Sequence, residues 1–406
     1  MTWSRNPGSA GSLSGPCCLL WMVLMLPRSS AALDFVFGNP FEDGCQTDSD
    51  SDRLPDCFES GDNRDLGPMH TGTSRTLSDT DVDGLVDGDE VLGTASGIDL
   101  PAMGARALRK TVLAEYDWFD DANGCASHSH RPTAAIASAT AAAFAAMPVS
   151  NPDGTTGIDL VQDYGQGGLF TGGNRIADAD GDLAGGVNGT EFAGYKAAHF
   201  ASTRFRLFHY VIFPHTYNGS ASSGQAERPG DDLIVSLGCS GASNNVRNTL
   251  LHEIGHNFSL SHGGADACNY KPNYNSVMNY RYQFPGIDNN CSVAGDGVPA
   301  YSVGTRPNLD ENALNEAAGI CGLTAGVAVD WNANATIEPL VIVDINASDT
   351  NQASNCGGSF SVLRDSNDYA ALNLAHVRTT PDRAVEVVDC DNPVPGDAGT
   401  PTLHPW

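Results

Sequence analysis

Residues 252–262 constrain the fold of this chain more than any other stretch. The run starts His-Glu-Ile-Gly-His and closes on a third histidine, His262, six positions after the second. Apolar residues recur every four positions from Leu250 to Phe258, which predicts a helix with one face in the core. His252 and His256 have the same spacing, so their imidazoles lie one helical turn apart on another face.

Two imidazoles at this spacing can bind one metal ion, and Glu253 between them is placed to activate a water molecule there. A continuous helix would carry His262 about 240° around the axis and roughly 9 Å further along, away from the other two. The helix is therefore predicted to end and the chain to turn back. Three neutral histidines leave one tetrahedral position open, as in a catalytic zinc site. Ordinary core histidines explain a lone pair at this spacing, but not the added Glu253 and His262.

The run resembles the HExxHxxGxxH signature of the metzincin metallopeptidases, and residues 276–280, Ser-Val-Met-Asn-Tyr, resemble their Met-turn. The resemblance implies an α+β fold with a two-lobed catalytic domain. Such a domain has a mixed twisted sheet, an active-site helix, the Met-turn and a C-terminal helix, for which residues 308–320 are the candidate. It also implies a Zn²⁺ cofactor and a protein or peptide substrate.

The same resemblance assigns roles to individual residues. Glu253 would be the general base, and Tyr280 would donate a hydrogen bond to the developing oxyanion. Met278 would be a packing residue of the Met-turn rather than a ligand. Ser259 stands where the family has glycine, at the turn that must bring His262 back to the metal.

Composition narrows the partners and the compartment. The chain of 406 residues has 49 acidic against 21 basic side chains, a net charge of −28, which disfavours nucleic acid and anionic membranes. Residues 1–32 read as a signal peptide, with a charged start, a short apolar run and a small-residue cleavage site near Ala32. We therefore expect a secreted protein without membrane insertion after signal removal.

Nine cysteines remain after the two in the signal segment are removed, and in an oxidising compartment most should form disulfides. The odd number suggests a latency switch, in which one thiolate fills the open position of the zinc. Cys45 and Cys57 are the candidates, and a disulfide between them is the alternative.

Residues 33–101 are rich in aspartate and contain two EF-hand-like loops, with oxygen ligands at positions one, three, five, nine and twelve. They resemble thrombospondin type 3 repeats and predict structural Ca²⁺. The first loop has Arg53 at position six, where the second has the Gly84 typical of the sharp turn. The predicted ligands are Asp48, Asp50, Asp52, Asp56 and Glu59 in the first loop, and Asp79, Asp81, Asp83, Asp87 and Glu90 in the second.

The catalytic domain is predicted over residues 102–322, followed by a small β-rich extension over 323–380 and a loose tail over 381–406. Residues 219–224 fall where metzincins have an edge strand over the cleft, so the resemblance implies that substrate binds there by strand addition. Four further histidines are predicted to be ordinary core or surface residues: His128, His130, His209 and His215.

Two classes of function fit these observations, a secreted zinc endopeptidase and a catalytically inactive, calcium-stabilised binding or adhesion protein on the same scaffold. The presence of Glu253 favours the enzyme, because an inactive protein has no mechanistic need for a base between the histidines. A zinc hydrolase acting on a substrate other than a peptide would use the same site.

Overall fold

The computed structural model describes residues 46–59, 70–121, 123, 125–346, 360–375 and 386–393. The predicted signal peptide and Cys45 lie outside these ranges. Within them, no helix is long and apolar enough to cross a membrane.

The secondary structure is mixed. The helices are α1 (Asp87–Leu92), α2 (Leu100–Met103), α3 (Ala134–Ala145), α4 (Thr190–His199), α5 (Ser243–Asn257) and α6 (Tyr280–Gln283). The strands are β1 (Thr111–Asp121), β2 (His128–Ser129), β3 (Asp159–Asp163), β4 (Arg175–Ile176), β5 (Asp182–Leu183), β6 (Phe208–Phe213), β7 (Thr216–Tyr217), β8 (Ser222–Arg228), β9 (Asp232–Val235), β10 (Leu309–Asp310), β11 (Val362–Leu363) and β12 (Glu386–Pro393). Short 3-10 turns occupy Asp56–Phe58, Ser202–Arg204, Glu316–Ala318 and Leu323–Ala325.

One mixed sheet forms the centre of the molecule, with the order β12-β8-β9-β6-β1-β2 and with β3 and β4 also paired to β1. The strands β3, β1, β6 and β9 run parallel, whereas β8 pairs antiparallel with β9 and β12 pairs antiparallel with β8. The α+β class with a mixed sheet is therefore confirmed.

Nearly all side chains of the long strand β1 are buried. Because successive side chains of a strand point to opposite faces of the sheet, both faces of β1 are covered. Tyr116 and its same-face neighbours pack with Phe144 of α3 and Ile254 of α5. Leu113 and Phe119 face the other way and pack with a cluster that includes residues of α2 and α4. The sheet thus supports α5, the helix that carries the histidine motif, against one of its faces.

The predicted C-terminal helix over 308–320 is wrong. Leu309 lies in β10, Leu314 forms an isolated bridge with Val341, and only a single 3-10 turn follows. Backbone groups in this segment bond to distant residues: the Leu314 N–H donates to the Val341 carbonyl and the Glu316 N–H to the Glu338 carbonyl. Its apolar residues instead join a separate core around Trp331, to which the partly buried Cys291 and Cys321 of one disulfide also pack. Tertiary pairing here outweighs helix propensity.

The prediction of a loose tail is wrong for residues 386–393, which form β12. Its residues pair with β8 from Glu386 opposite Arg228 to Cys390 opposite Gly224. An ion pair between Arg228 and Glu386 adds to this pairing. The far end of the chain therefore lies directly beside the strand predicted to receive substrate.

Candidate metal centre

Helix α5 ends where the sequence predicts. Its last residue is Asn257, and Ser259 has φ 81°, a left-handed conformation that reverses the chain. The turn is closed by hydrogen bonds from the Ser259 N–H to the His256 carbonyl, 2.8 Å, and from the Leu260 N–H to the Gly255 carbonyl, 2.9 Å. This reversal returns His262 toward the helix.

The three motif histidines converge. The Nε2 atom of His256 lies 3.2 Å from Nε2 of His252 and 3.0 Å from Nε2 of His262. The Nδ1 atoms of His252 and His256 each face a backbone carbonyl, of Val277 at 2.7 Å and of Leu260 at 2.9 Å. A carbonyl partner holds the proton on Nδ1 and leaves Nε2 as the metal-facing lone pair.

This donor set fits zinc. Zn–N bonds of about 2.0–2.1 Å in a tetrahedron place the nitrogens about 3.3 Å apart, close to the observed separations. Burial lowers the pKa of His252 to about 4 and the pKa of His256 and of His262 well below the usual value, so the rings are neutral, as ligands must be.

A fourth donor, Cys390 of β12, completes the cluster. Its Sγ lies 3.4 Å from Nε2 of His256, 3.6 Å from Nε2 of His262 and 3.2 Å from Oε2 of Glu253. A zinc–thiolate bond of about 2.3 Å predicts sulfur–nitrogen separations of about 3.6 Å. Sequence analysis missed this residue, although the odd cysteine number was a signal that one thiol had another use.

The predicted switch candidate Cys57 does not occupy this place. Cys57 is in a disulfide, which excludes it as a thiolate ligand in this state, and Cys45 lies outside the described residues. Two disulfides, Cys125–Cys239 and Cys291–Cys321, and a disulfide at Cys268 account for further cysteines of the described part.

Glu253 is fully buried beside the histidines, and its Oε1 makes no hydrogen bond within the described residues. Burial raises the pKa of its carboxyl well above the usual range. Gly224 of β8 permits this placement, because a Cβ there would overlap the Glu253 carboxyl group. The carboxyl group therefore lies between the metal centre and the strand predicted to bind substrate.

Two residues of the predicted Met-turn, Met278 and Tyr280, lie next to helix α5 and to His262 respectively. Met278 is fully buried, and a Cβ on Gly255 would overlap its sulfur, so the glycine of the helix allows the turn to pack closely. The Tyr280 ring lies 4.4 Å from the His262 ring, and its hydroxyl donates to the Asp389 carbonyl of β12 at 3.1 Å. Gly255 is a second residue that sequence analysis did not single out.

We expect Ser259→Gly to be tolerated. Glycine removes the strain of a Cβ in the left-handed region, about 1 kcal/mol, while its greater freedom in the unfolded chain offsets part of that gain. Zinc content and melting temperature should stay equal or rise slightly. A loss of zinc on this change would show that Ser259 has a specific role at the turn.

The two acidic loops have the same backbone arrangement. The carboxylate of Asp48 accepts hydrogen bonds from the backbone N–H groups three, four and five residues later, and Asp79 does the same. Position six is left-handed in both, with φ 82° at Arg53 and 96° at Gly84. Arg53 thus adopts the turn that glycine makes in the second loop, and its guanidinium binds Asp89 at 2.6 Å.

The carboxylates of these loops gather into groups of three. Groups that could hold an ion are Asp48, Asp50 and Asp52; Asp52, Glu59 and Asp87; and Asp79, Asp81 and Asp83. Glu59, Asp81 and Glu90 are at most 2% exposed and have carboxylate oxygens with no hydrogen-bond partner among the described residues. Burial, then neighbouring carboxylates, raise their pKa values to about 7, about 8 and about 11. Calcium in the loops stays a prediction.

A family model that matches part of the chain points to the same chemistry. Residues 173–263 match a family model described as Metallo-peptidase family M12B Reprolysin-like. Among solved structures, archaemetzincin from Methanopyrus kandleri aligns at 16% identity, over 42% of this chain and 81% of its own, with a TM-score of 0.24. No curated protein matches the chain.

The family match spans β4 to the residue after His262, so it includes the whole of α5 and all three histidines. This segment is similar to a metallopeptidase domain, and the expected resemblance is confirmed to that extent. Residues outside it, including Met278, Tyr280 and Cys390, are placed by the structure alone.

Proposed function

We propose that this chain is a secreted zinc-dependent endopeptidase whose cleft is covered by its own C-terminal strand. The observation that carries the proposal is the convergence of three neutral imidazoles, from a segment similar to metallopeptidases, around a buried Glu253. His252, His256 and His262 would hold the metal through Nε2. Bound zinc would polarise both a water molecule and the scissile carbonyl of the substrate.

The side chains of the protein perform the proton transfers. Glu253 takes the proton of the attacking water and delivers it to the leaving amine. Burial raises the pKa of the Glu253 carboxyl, so the carboxylate accepts a proton readily once bound substrate excludes water. The Tyr280 hydroxyl, which donates to a carbonyl of β12 in this structure, donates to the substrate oxyanion when that strand is absent.

Substrate binds along β8 by strand addition. β12 occupies that edge with antiparallel pairing and brings Cys390 to the three imidazoles. The covered form would therefore be latent, because the Cys390 thiolate would fill the fourth coordination position of the metal and the backbone of β12 occupies the substrate edge. Proteolytic removal of β12 opens both, whereas loss of the thiolate alone opens the coordination position and weakens the docking of the strand.

The function is tested by mapping cleavage sites in an unstructured protein incubated with the purified full chain, with and without a zinc chelator. Activity should need zinc and should rise after limited proteolysis of the C-terminal residues. Peptide cleavage unaffected by the chelator would contradict the proposal.

A second candidate is favoured by one observation, the four-donor set itself. Four protein ligands are typical of structural zinc, which binds no substrate. On this reading the chain is a calcium-stabilised extracellular binding protein, and Cys390 is a permanent ligand. Retained zinc with no cleavage of any substrate, even after β12 is released, would favour it.

The acidic loops lead to a separate prediction for calcium removal. Without a cation the buried carboxylates repel one another, so a calcium-selective chelator should lower the melting temperature and open residues 46–101 to proteolysis without releasing zinc. Calcium at a hundred times its Kd contributes about 2.7 kcal/mol to the free energy of unfolding.

Asp81→Asn is the informative variant, since it removes one buried charge at nearly constant volume. It should reduce the response of the melting temperature to calcium. Asp153→Asn, at an exposed position outside the loops, is the matched control and should respond like the unmodified chain. A melting temperature that does not change with calcium in any of the three proteins would mean that the loops bind none.

A further inference from the structure

Four metal-binding side chains meet at a second place, far from the histidine motif in sequence. Asp121 ends β1, His128 lies on β2 and His215 follows β6 by two residues. β1 and β6 are parallel, so their carboxyl ends lie at the same edge of the sheet. β2 pairs antiparallel with the end of β1, with Asp121 opposite His128, and His130 follows directly. Three of the four histidines predicted to be ordinary core or surface residues, His128, His130 and His215, therefore lie together beside Asp121.

The side chains are within coordination distance of one another. His130 Nε2 lies 2.7 Å from one oxygen of Asp121, and His215 Nδ1 lies 3.2 Å from the other. The three imidazole rings have centroids 4.4, 5.4 and 5.6 Å apart. One donor atom from each of the four residues fits within a group no wider than 4.8 Å.

Two of these donors are buried without a hydrogen bond. Nδ1 of His215 has no hydrogen-bond partner among the described residues although the residue is only 9% exposed, and Nε2 of His128 is likewise buried and without one. The other nitrogen of His128, Nδ1, faces the Ala126 carbonyl at 3.0 Å, which leaves Nε2 as the lone pair directed into the cluster. His215 Nδ1 lies 3.2 Å from the Asp121 carboxylate but does not form a hydrogen bond with it. Buried ring nitrogens that make no hydrogen bond are costly unless a ligand satisfies them.

His209 shows what an ordinary buried histidine of this protein does. Its Nδ1 contacts the side-chain oxygen of Asn257 at 2.9 Å, and its ring packs edge-on against Phe258. In contrast, His130 and His215 face the Asp121 carboxylate, and the rings of all three cluster histidines lie against one another. The contrast separates the cluster from the core histidines.

We propose that Asp121, His128, His130 and His215 bind a second zinc ion, as a structural site. Three imidazoles and one carboxylate are donors that zinc accepts, and four protein ligands close the tetrahedron. The ion would join the end of β1, the strand β2 and the segment after β6, next to the Cys125–Cys239 disulfide. It would therefore fix the edge of the sheet from which the chain leads into α3.

Zinc per chain, measured by elemental mass spectrometry on the purified full-length protein after dialysis, tests this site directly. The unmodified chain should hold two zinc ions. His130→Gln and His215→Asn should each hold one, and His70→Gln, which changes an exposed histidine, should still hold two. Equal zinc content in all four proteins would overturn the proposal.

A second variant controls for misfolding caused by substitutions at the proposed second zinc site. The pair His252→Ala and His256→Ala removes the first site and leaves the second untouched, so it should retain one zinc ion. Retention of none would overturn the proposal. Zinc that exchanges freely on dialysis, with no change in melting temperature, would be an adventitious ion only and would overturn it as well.

Cobalt substitution gives a second readout that separates the two sites. Cobalt in the cluster has only nitrogen and oxygen ligands, whereas cobalt beside Cys390 has a sulfur ligand and a thiolate charge-transfer band. The protein with His252→Ala and His256→Ala should show visible cobalt absorption but should lack the thiolate charge-transfer band. Absence of any tetrahedral cobalt spectrum in this variant would contradict the second site without bearing on peptidase activity.

Discussion

Glu253→Gln is expected to lower the turnover of peptide cleavage by about 10²-fold or more while the zinc content stays unchanged. Glutamine keeps the size and polarity of the side chain but cannot accept the proton of the attacking water. Nδ1 contacts to backbone carbonyls, and not Glu253, hold the imidazoles of His252 and His256, so metal binding should survive. Cleavage rate and zinc per chain are measured on the same preparation.

This comparison is made in two backgrounds, the unmodified chain and Cys390→Ala, so that latency does not mask the loss. Glu338→Gln serves as the matched control and should keep the activity of its parent, because Glu338 is half-buried and its carboxylate accepts from the amides of Asn332 and Asn334. Cleavage by a clean Glu253→Gln preparation at the parental rate would exclude Glu253 as the base.

Local spacing in the sequence was sufficient to predict that the three motif histidines converge. Imidazoles at i and i+4 must lie on one helix face, and a third ligand six residues on requires the helix to end, which Ser259 achieves with a left-handed φ. The same logic applies to the acidic loops, whose alternate carboxylates define a turn within a dozen residues. Such features depend on neighbouring residues only.

The remaining features depend on pairings between distant parts of the chain. Cys390 reaches His256 from 134 positions away through the pairing of β12 with β8, and no periodicity marks that strand. His215 joins Asp121 only because β1 and β6 are adjacent and parallel. Residues 308–320 have helical spacing of apolar side chains, yet pairing with residues near Val341 and Leu363 decides their structure.

Cys390→Ala is expected to raise the peptidase activity of the full chain by about tenfold or more. The thiolate is one of several contacts that hold β12 in the cleft, and each 1.4 kcal/mol removed from strand docking raises the open population tenfold. Alanine opens the fourth coordination position without adding a new donor. The rate of cleavage of an unstructured protein, before and after limited proteolysis, measures the change.

The matched control lies two residues earlier on the same strand. Val388→Thr keeps a β-branched side chain opposite Ala226 and leaves the thiol in place, so its activity should stay close to that of the latent chain. A comparable rise in both variants would mean that strand pairing, and not the thiolate, maintains latency.

Cobalt spectroscopy separates this prediction from the peptidase proposal itself. The unmodified chain should show a thiolate charge-transfer band that Cys390→Ala lacks, because Sγ of Cys390 lies within ligand distance of the imidazoles. If the band is absent from the unmodified chain, latency through Cys390 is wrong while Glu253 and the three histidines are still able to form a peptidase. The other informative outcome is that Cys390→Ala loses the band but cleaves no substrate, although its fourth coordination position is open. The zinc site is then better described as a structural site that does not catalyse. Since the backbone of β12 also covers the β8 edge, full activity is expected only when the strand itself has been removed.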